Sequence, residues 1–261
     1  MFLSRILETQ AAVVARSKAE RPLTQIFREL DRNMPELRPF KERLTGDSLR
    51  IIAEVKKASP SKGLLCPDFN PEALGTGYER AGAAAISVLT EATYFQGSLE
   101  YLQVVKTQTQ QTPVLRKDFI IDPYQLAEAR LYGADAVLLI VAALTPRSLE
   151  QLLREAGRLG LTPLVEVHNL EELQIALASG AEVIGINNRN LQTFEVTLAT
   201  TYRLLEALPD TVVKISESGI TSRADLVALE KAGVNAVLIG EALVTAADPQ
   251  HKIKGLLGVV S

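Results

Sequence analysis

Near the start of the chain, apolar residues recur at Leu3, Ile6, Leu7, Ala11 and Val14, the three-and-four spacing of a helix that buries one face. A second amphipathic stretch carries Ile26, Phe27 and Leu30 and gives way to a turn region bounded by Pro35 and Pro39. Residues 1–45 therefore read as a helical extension. From Ile51 onward the pattern changes, and short runs of Val, Ile, Leu and Ala alternate with longer helical stretches. The runs are IIAEVK (51–56), AAISVLT (84–90), PVLRKDF (113–119), AVLLIVA (136–142), PLVEVH (163–168), VIGINNR (183–189), VVKISES (212–218) and AVLIG (236–240).

Their starts lie roughly 20 to 33 residues apart, room for one helix and two short loops each time. Such βα units imply a parallel sheet, whose strands are covered on both faces and so read as nearly unbroken apolar runs. A second repeat points to closure of that sheet. The phrases beginning at Gly82, Gly133, Gly180 and Gly233 (GAAAISV, GADAVLLI, GAEVIGI, GVNAVLIG) each end a helix and start a strand. They recur about every 50 residues, before every second strand, as in a ring of eight built from similar pairs. The expected fold is a (β/α)8 TIM barrel, residues 1–261 forming one domain with residues 1–45 as extra N-terminal helices. An open doubly wound sheet is the structural rival; its dinucleotide variant should carry GxGxxG after an early strand, and the chain has none.

In a parallel barrel the chemistry sits where the strands end, because the βα loops share one mouth. The runs end in polar residues: Glu54 and Lys56 on one side of the first, Lys117 on the third, Glu166 on the fifth, Asn187 and Arg189 on the sixth, Glu217 and Ser218 on the seventh. Taken singly, each reads as a solvated or ion-paired residue at a strand end. Together they suggest a ring of inward charges, which survives burial only if its members pair with each other or with a ligand. His168 shares the face of Glu166, but without a visible partner it is expected to be structural. Cys66, in a loop beside Pro67, reads as an inert small residue.

The opposite part of the rim has a different character. Ser218-Gly219 follows the seventh run, and Gly240-Glu241-Ala242-Leu243 follows the eighth and looks like the start of a short helix. Loops in these two places form the recurrent phosphate site of barrels, where glycine lets backbone amides approach an anion.

Composition narrows the partners. The chain has 28 basic and 31 acidic residues, a net charge of −3, and no basic cluster of the kind that tracks nucleic acid or anionic lipid. A small molecule is the expected partner, with no nucleic acid and no membrane. Cys66 is the single cysteine, and no Cys/His spacing suits a metal. Arg5, Glu8 and Arg16 interrupt what would be the apolar core of a signal peptide, so a cytoplasmic location is expected.

At the level of motifs the sequence becomes specific. IIAEVKKASPSKG (51–63), SVLTE (87–91), YFQGSLEYL (94–102), LRKDFIIDPYQL (115–126), LVEVHN (164–169), IGINNRNL (184–191), SESGI (216–220) and LIGEAL (238–243) resemble the indole-3-glycerol-phosphate synthases nearly end to end. ILETQAAVVARSKAE and RPFKERL resemble that family's N-terminal helical cap. The resemblance implies ring closure, decarboxylation and dehydration of 1-(2-carboxyphenylamino)-1-deoxyribulose 5-phosphate, with no cofactor and no metal. It implies that Lys117 is the general acid and Glu166 its acid/base partner. Lys56 and Arg189 would face the substrate carboxylate and orient Glu54 and Glu166, while Asn187, Glu217 and Ser218 would complete the site. Phe119 and Leu138 would hold the aryl ring. Ser59 to Gly63 would form a lid loop in which Ser59 contacts ligand and Lys62 is solvated. Gly219, Gly240 and Glu241 would bind phosphate through their amides.

Two departures stand out. Glu241 occupies a place where some relatives have a small hydroxyl residue, so its carboxylate should turn away from the phosphate. Gln96 replaces a common glycine, a loop variation. Two rival readings remain. Phosphoribosylanthranilate isomerase would be shorter at the N-terminus and use a cysteine/aspartate pair, and Cys66 is on no strand end. A silent binding barrel would have lost at least one of Lys56, Lys117 and Glu166. A monomer is expected.

Overall fold

The computed structural model describes residues 2–191 and 193–259. Eight parallel strands close into a barrel: β1 (Arg50–Val55), β2 (Ala85–Leu89), β3 (Val114–Lys117), β4 (Ala136–Ile140), β5 (Thr162–Val167), β6 (Val183–Asn187), β7 (Val213–Glu217) and β8 (Ala236–Ile239). Each strand pairs with its neighbours in sequence, and β8 returns to β1 with Arg50 opposite Ala236 and Ala53 opposite Ile239. Helices connect the strands, as right-handed crossovers between parallel neighbours require. The repeat glycines Gly82, Gly133, Gly180 and Gly233 all have φ between 83° and 92°, the left-handed conformation that stops a helix before the next strand.

Strand periodicity divides the apolar residues into two cores. Outward side chains such as Ile51, Ala53, Val137, Leu139, Val165, Ile184 and Ile186 pack beneath the helices. Inward side chains, among them Ile52, Leu115, Leu138, Leu164, Ile215 and Leu238, fill the barrel. Phe40, from the short helix Phe40–Arg43, and Leu44 join this inner group and are fully buried. These two side chains plug the N-terminal end of the barrel interior.

The N-terminal extension forms α1 (Phe2–Glu20) and α2 (Leu23–Arg32). Val14, Ile26 and Leu30 bury against Tyr124 and Ala127 on the helix Pro123–Leu131. The Tyr124 hydroxyl donates to the Ser17 and Arg21 carbonyls at 3.0 and 2.9 Å, and Lys18 pairs with Asp122 at 2.6 Å. Among the described residues no helix is long and apolar enough to cross a membrane.

The strands are shorter than the apolar runs. Lys56, Asp118, Phe119, His168, Arg189 and Ser218 lie just beyond their strands, because the ladders stop at pairs such as Val55–Val88 and Leu89–Lys117. The Ser59–Gly63 segment also holds a two-residue antiparallel pairing, Ala58–Ser59 with Gly63–Leu64, too short to leave a periodic signal.

Candidate active site

The inward row that builds the core continues upward as polar residues. With a period of two, Ile52 is followed by Glu54, Leu115 by Lys117, Leu164 by Glu166, Ile215 by Glu217 and Leu238 by Gly240. One step above the apolar layer the barrel is therefore charged. Glu54, Glu166 and Glu217 are only 3%, 3% and 1% exposed, so bulk water does not solvate them and they depend on partners.

Lys117 supplies much of that pairing. Its Nζ lies 2.9 Å from Glu166 Oε2 and 2.6 Å from Glu217 Oε2. Lys56 is ion-paired with Glu54. His168 Nε2 stands 3.3 Å from Glu166 Oε1, and its Nδ1 stands 3.0 Å from Glu172 Oε2. Two lysines, a histidine and three glutamates at the ends of β1, β3, β5 and β7 thus form one charge cluster whose carboxylates are buried.

The cluster sets the protonation of its members. Burial disfavours the Lys117 ammonium, but Glu166, Glu217 and Glu54 outweigh burial and raise its pKa, so it remains charged. Burial also opposes ionisation of Glu166, yet Lys117 and His168 hold it well below the usual carboxylate range. Glu217 is pushed up to about 7, first by burial, with nearby Glu166 and Glu54 adding to it against the pull of Lys117. The Lys117 ammonium is therefore flanked by one carboxylate whose ionisation is favoured and one whose ionisation is disfavoured.

Space for the carboxylates comes from missing side chains. A methyl group at Gly185 would overlap Glu217 Oε1, and one at Gly240 would overlap Glu54 Oε2 and come within 2.9 Å of Lys56 Nζ. Above the charges opens a cavity of about 620 Å³, lined by Glu54, Lys56, Lys117, Glu166, Asn187 and Glu217. Leu138 and Ile140 form part of its apolar wall with Phe119, whose ring centroid lies 6.2 Å from that of Phe95. Helix α1 contributes Phe2, Leu3 and Ile6 to the lining. The Phe2 ring packs edge-on against Tyr94 and Phe194, with centroids 5.4 and 5.5 Å apart, and Gln10 donates to Asp118 beside Lys117.

Ser59, Arg189, Ser218, Gly219, Gly240 and Glu241 also line the cavity, so the residues expected to act on or bind the substrate share this mouth, whereas His168 and Cys66 are not part of its lining. Ser218 and Gly219 have successive φ values of 69° and 82°, the first a left-handed conformation uncommon outside glycine. Asn187 Oδ1 accepts from the Arg189 amide at 3.0 Å. The Ser59 hydroxyl is buried with no hydrogen-bond partner among the described residues.

Three expectations change. Lys62 is not merely solvated but ion-paired with Glu241, which joins the Ser59–Gly63 loop to the chain after β8 and accounts for where the Glu241 carboxylate turns. Arg189 is not what orients Glu54 and Glu166. Its guanidinium reaches the Phe194 carbonyl at 3.4 Å, while Lys56 pairs with Glu54, and Lys117 and His168 flank Glu166. His168, which the sequence leaves without a partner, has two carboxylate partners.

Supporting residues escape the sequence pattern. Asp118 takes hydrogen bonds from Thr90 at 2.5 Å and Arg116 at 3.0 Å, as well as from Gln10. Asn188 Nδ2 donates to the Ser216 hydroxyl and to the Glu217 carbonyl at 3.0 and 2.9 Å, which pins the end of β7. Cys66 is half-buried outside the cavity lining, and burial pushes its thiol pKa up. Among the described residues no group of three or more His, Cys, Asp or Glu is placed to hold a metal ion.

Solved structures share the architecture. A 3-hexulose-6-phosphate synthase from Salmonella typhimurium superposes with a TM-score of 0.67 at 14% identity, over 81% of this chain and 98% of that one. At that identity the likeness shows the fold alone. Sequence comparison goes further. An indole-3-glycerol phosphate synthase of Dehalococcoides mccartyi strain 195 is 48% identical over 260 residues, 98% of this chain and 100% of its own. One from Roseiflexus castenholzii is 50% identical over 266 aligned positions, 98% of each chain. The sequence profile described as indole-3-glycerol phosphate synthase matches residues 3–256. On that match, which takes in both the N-terminal helices and the whole barrel, the chain belongs to the indole-3-glycerol phosphate synthase family.

Proposed function

We propose that this cavity closes the indole ring of 1-(2-carboxyphenylamino)-1-deoxyribulose 5-phosphate, a step of tryptophan biosynthesis, with Lys117 as general acid. A ring carbon forms a bond to the sugar carbonyl carbon, and the carbonyl oxygen takes a proton from the Lys117 ammonium. Loss of CO2 returns its bonding pair to the ring. The new hydroxyl then departs as water, taking a second proton from Lys117 after solvent has reprotonated it, while the Glu166 carboxylate accepts the proton released from the adjacent carbon of the new ring. An ammonium suits the developing alkoxide, and a fixed carboxylate stabilises the cationic ring intermediate. The observation that carries this reading is the half-buried Lys117, held 2.9 Å from Glu166 and 2.6 Å from Glu217 beneath a cavity with an apolar wall.

The remaining groups fall into place around that acid. Lys56, steadied by Glu54, faces the substrate carboxylate with Arg189. Phe119 and Leu138 hold the aryl ring and exclude water. Ser59 contacts ligand from the lid loop, and Asn187, Glu217 and Ser218 complete the polar wall. The Gly219, Gly240 and Glu241 amides take the phosphate. No cofactor enters the scheme. Residues 1–261 act as one domain, and the working form is a monomer in the cytoplasm, with a phosphorylated small molecule as partner rather than nucleic acid or membrane.

Purified protein should convert the carboxyphenylamino-deoxyribulose phosphate to indole-3-glycerol phosphate in the presence of a metal chelator and without nucleotide. Product is read by indole fluorescence. A folded preparation that makes none would refute the reading.

A further inference from the structure

The segment Glu166-Val167-His168-Asn169-Leu170-Glu171-Glu172 spans the end of β5 and the start of the helix Leu170–Ala178. Two periodicities meet there. The strand's period of two brings His168 over Glu166, and Glu172, four residues after His168, turns back toward it. Asn169 caps the helix by accepting from the Glu172 amide at 2.9 Å, and its side-chain nitrogen donates to Glu172 Oε1 at 2.7 Å. The other oxygen, Glu172 Oε2, receives the His168 backbone amide at 2.8 Å and faces its Nδ1 at 3.0 Å. The helix terminus thereby fixes the carboxylate, and the carboxylate fixes the ring.

At the far side of the ring, Nε2 is buried and meets no acceptor in full hydrogen-bond geometry among the described residues. It lies 3.3 Å from Glu166 Oε1, while Lys117 holds Glu166 Oε2 at 2.9 Å. Each nitrogen of the imidazole therefore faces a carboxylate oxygen. A neutral imidazole has one acceptor nitrogen and would point a lone pair at one of them; only the doubly protonated ring suits both.

We infer that His168 is a positioning residue for Glu166: its imidazolium, held from behind by Glu172, keeps the Glu166 carboxylate ionised and aimed at Lys117. The inference rests on the acid/base role given to Glu166 above. It also sets apart the two carboxylates that share Lys117, since Glu166 has a second cationic partner and, among the described residues, Glu217 pairs with no other cation. In agreement, burial lowers the His168 pKa, but the neighbouring Glu166 and Glu172 carboxylates outweigh it and raise it to about 10.

The chain has two histidines, so the His168 ring resonances are assigned by comparison with His251→Gln. In the wild-type protein NMR should find His168 doubly protonated up to pH 8; a neutral ring at pH 7 overturns the inference. The variants His168→Gln and His168→Asn are then followed by single-turnover ring closure across pH. Both should slow about tenfold or more, as residues that orient catalytic groups do. Their acidic limb should move up by about one pH unit, because a nearby positive charge has been removed from a carboxylate. Gln, which still reaches Glu166, should lose less than Asn. Rates within twofold of wild type, or slower rates with an unmoved acidic limb, contradict the inference. If neither variant folds, the ring's protonation in the wild-type protein decides. Glu166→Gln runs in parallel: a fast Glu166→Gln refutes the role of Glu166 itself, whereas a dead Glu166→Gln beside unaffected His168 variants refutes only the positioning role.

Discussion

Lys117→Ala is expected to slow ring closure by about 10² to 10⁴ while leaving affinity for the product nearly unchanged. The rate falls because Lys117 is the ammonium positioned between Glu166 and Glu217 under the cavity. Affinity survives because the phosphate and the aryl ring are assigned to other residues. A loss of only two- or threefold in single-turnover rate would remove the general-acid role. The same substitution has a second signature. It strips two nearly inaccessible carboxylates of their shared cation, and breaking such a buried pair costs about 3 to 5 kcal/mol. Without Lys117 the folded-state pKa values of Glu166 and Glu217 move upward. Carboxylates raised in this way are protonated in both states at low pH, and their ionisation weighs against folding as pH rises. The stability deficit of Lys117→Ala, measured by urea unfolding, should therefore be larger at pH 8 than at pH 5.

Gly185→Ala should be nearly as damaging, although the residue carries no chemical group. Its added methyl would overlap Glu217 Oε1 and sit 3.2 Å from Leu164 Cδ1. Glu217 is buried and held by Lys117, so displacing its carboxylate disturbs that ion pair. Overpacking here should cost about 1 to 3 kcal/mol, and a displacement near 1 Å in such a cluster lowers turnover by about 10². Gly180→Ala is the control. Its φ of 83° makes alanine strained, but nothing lies within 4 Å of the new methyl. It should lose about 1 to 2 kcal/mol of stability and keep full turnover. Equal activities for the two variants would show that the Glu217 position is not critical.

The barrel is legible in the sequence because parallel strands buried on both faces leave unbroken apolar runs, and because a glycine repeat marks every second strand. The charged ring is legible for a related reason. Once Ile52, Leu115, Leu164 and Ile215 are known to face inward, a period of two carries Glu54, Lys117, Glu166 and Glu217 to the same face. What the pattern hides depends on contacts between distant elements. Gln10 reaches Asp118 across more than a hundred residues, and Lys62 reaches Glu241 across 179. Neither pairing has a local period. The steric role of Gly185 depends on register: Gly185 lies opposite Ile215 and Asn187 opposite Glu217, so the Glu217 side chain reaches Gly185 from the neighbouring strand. His168 is an intermediate case. Its spacing to Glu166 and Glu172 is visible in the sequence, but the pattern becomes a chain of contacts only when Asn169 starts a helix there.

Geometry and chemistry meet in a single measurement, the crystal structure of the protein with indole-3-glycerol phosphate bound. The phosphate should rest on the Gly219, Gly240 and Glu241 amides, the indole between Phe119 and Leu138, and Lys117 should reach the edge of the ring system formed in the reaction. A phosphate held elsewhere, with the product out of reach of Lys117 and Glu166, would contradict the assignment of this cluster as the catalytic centre.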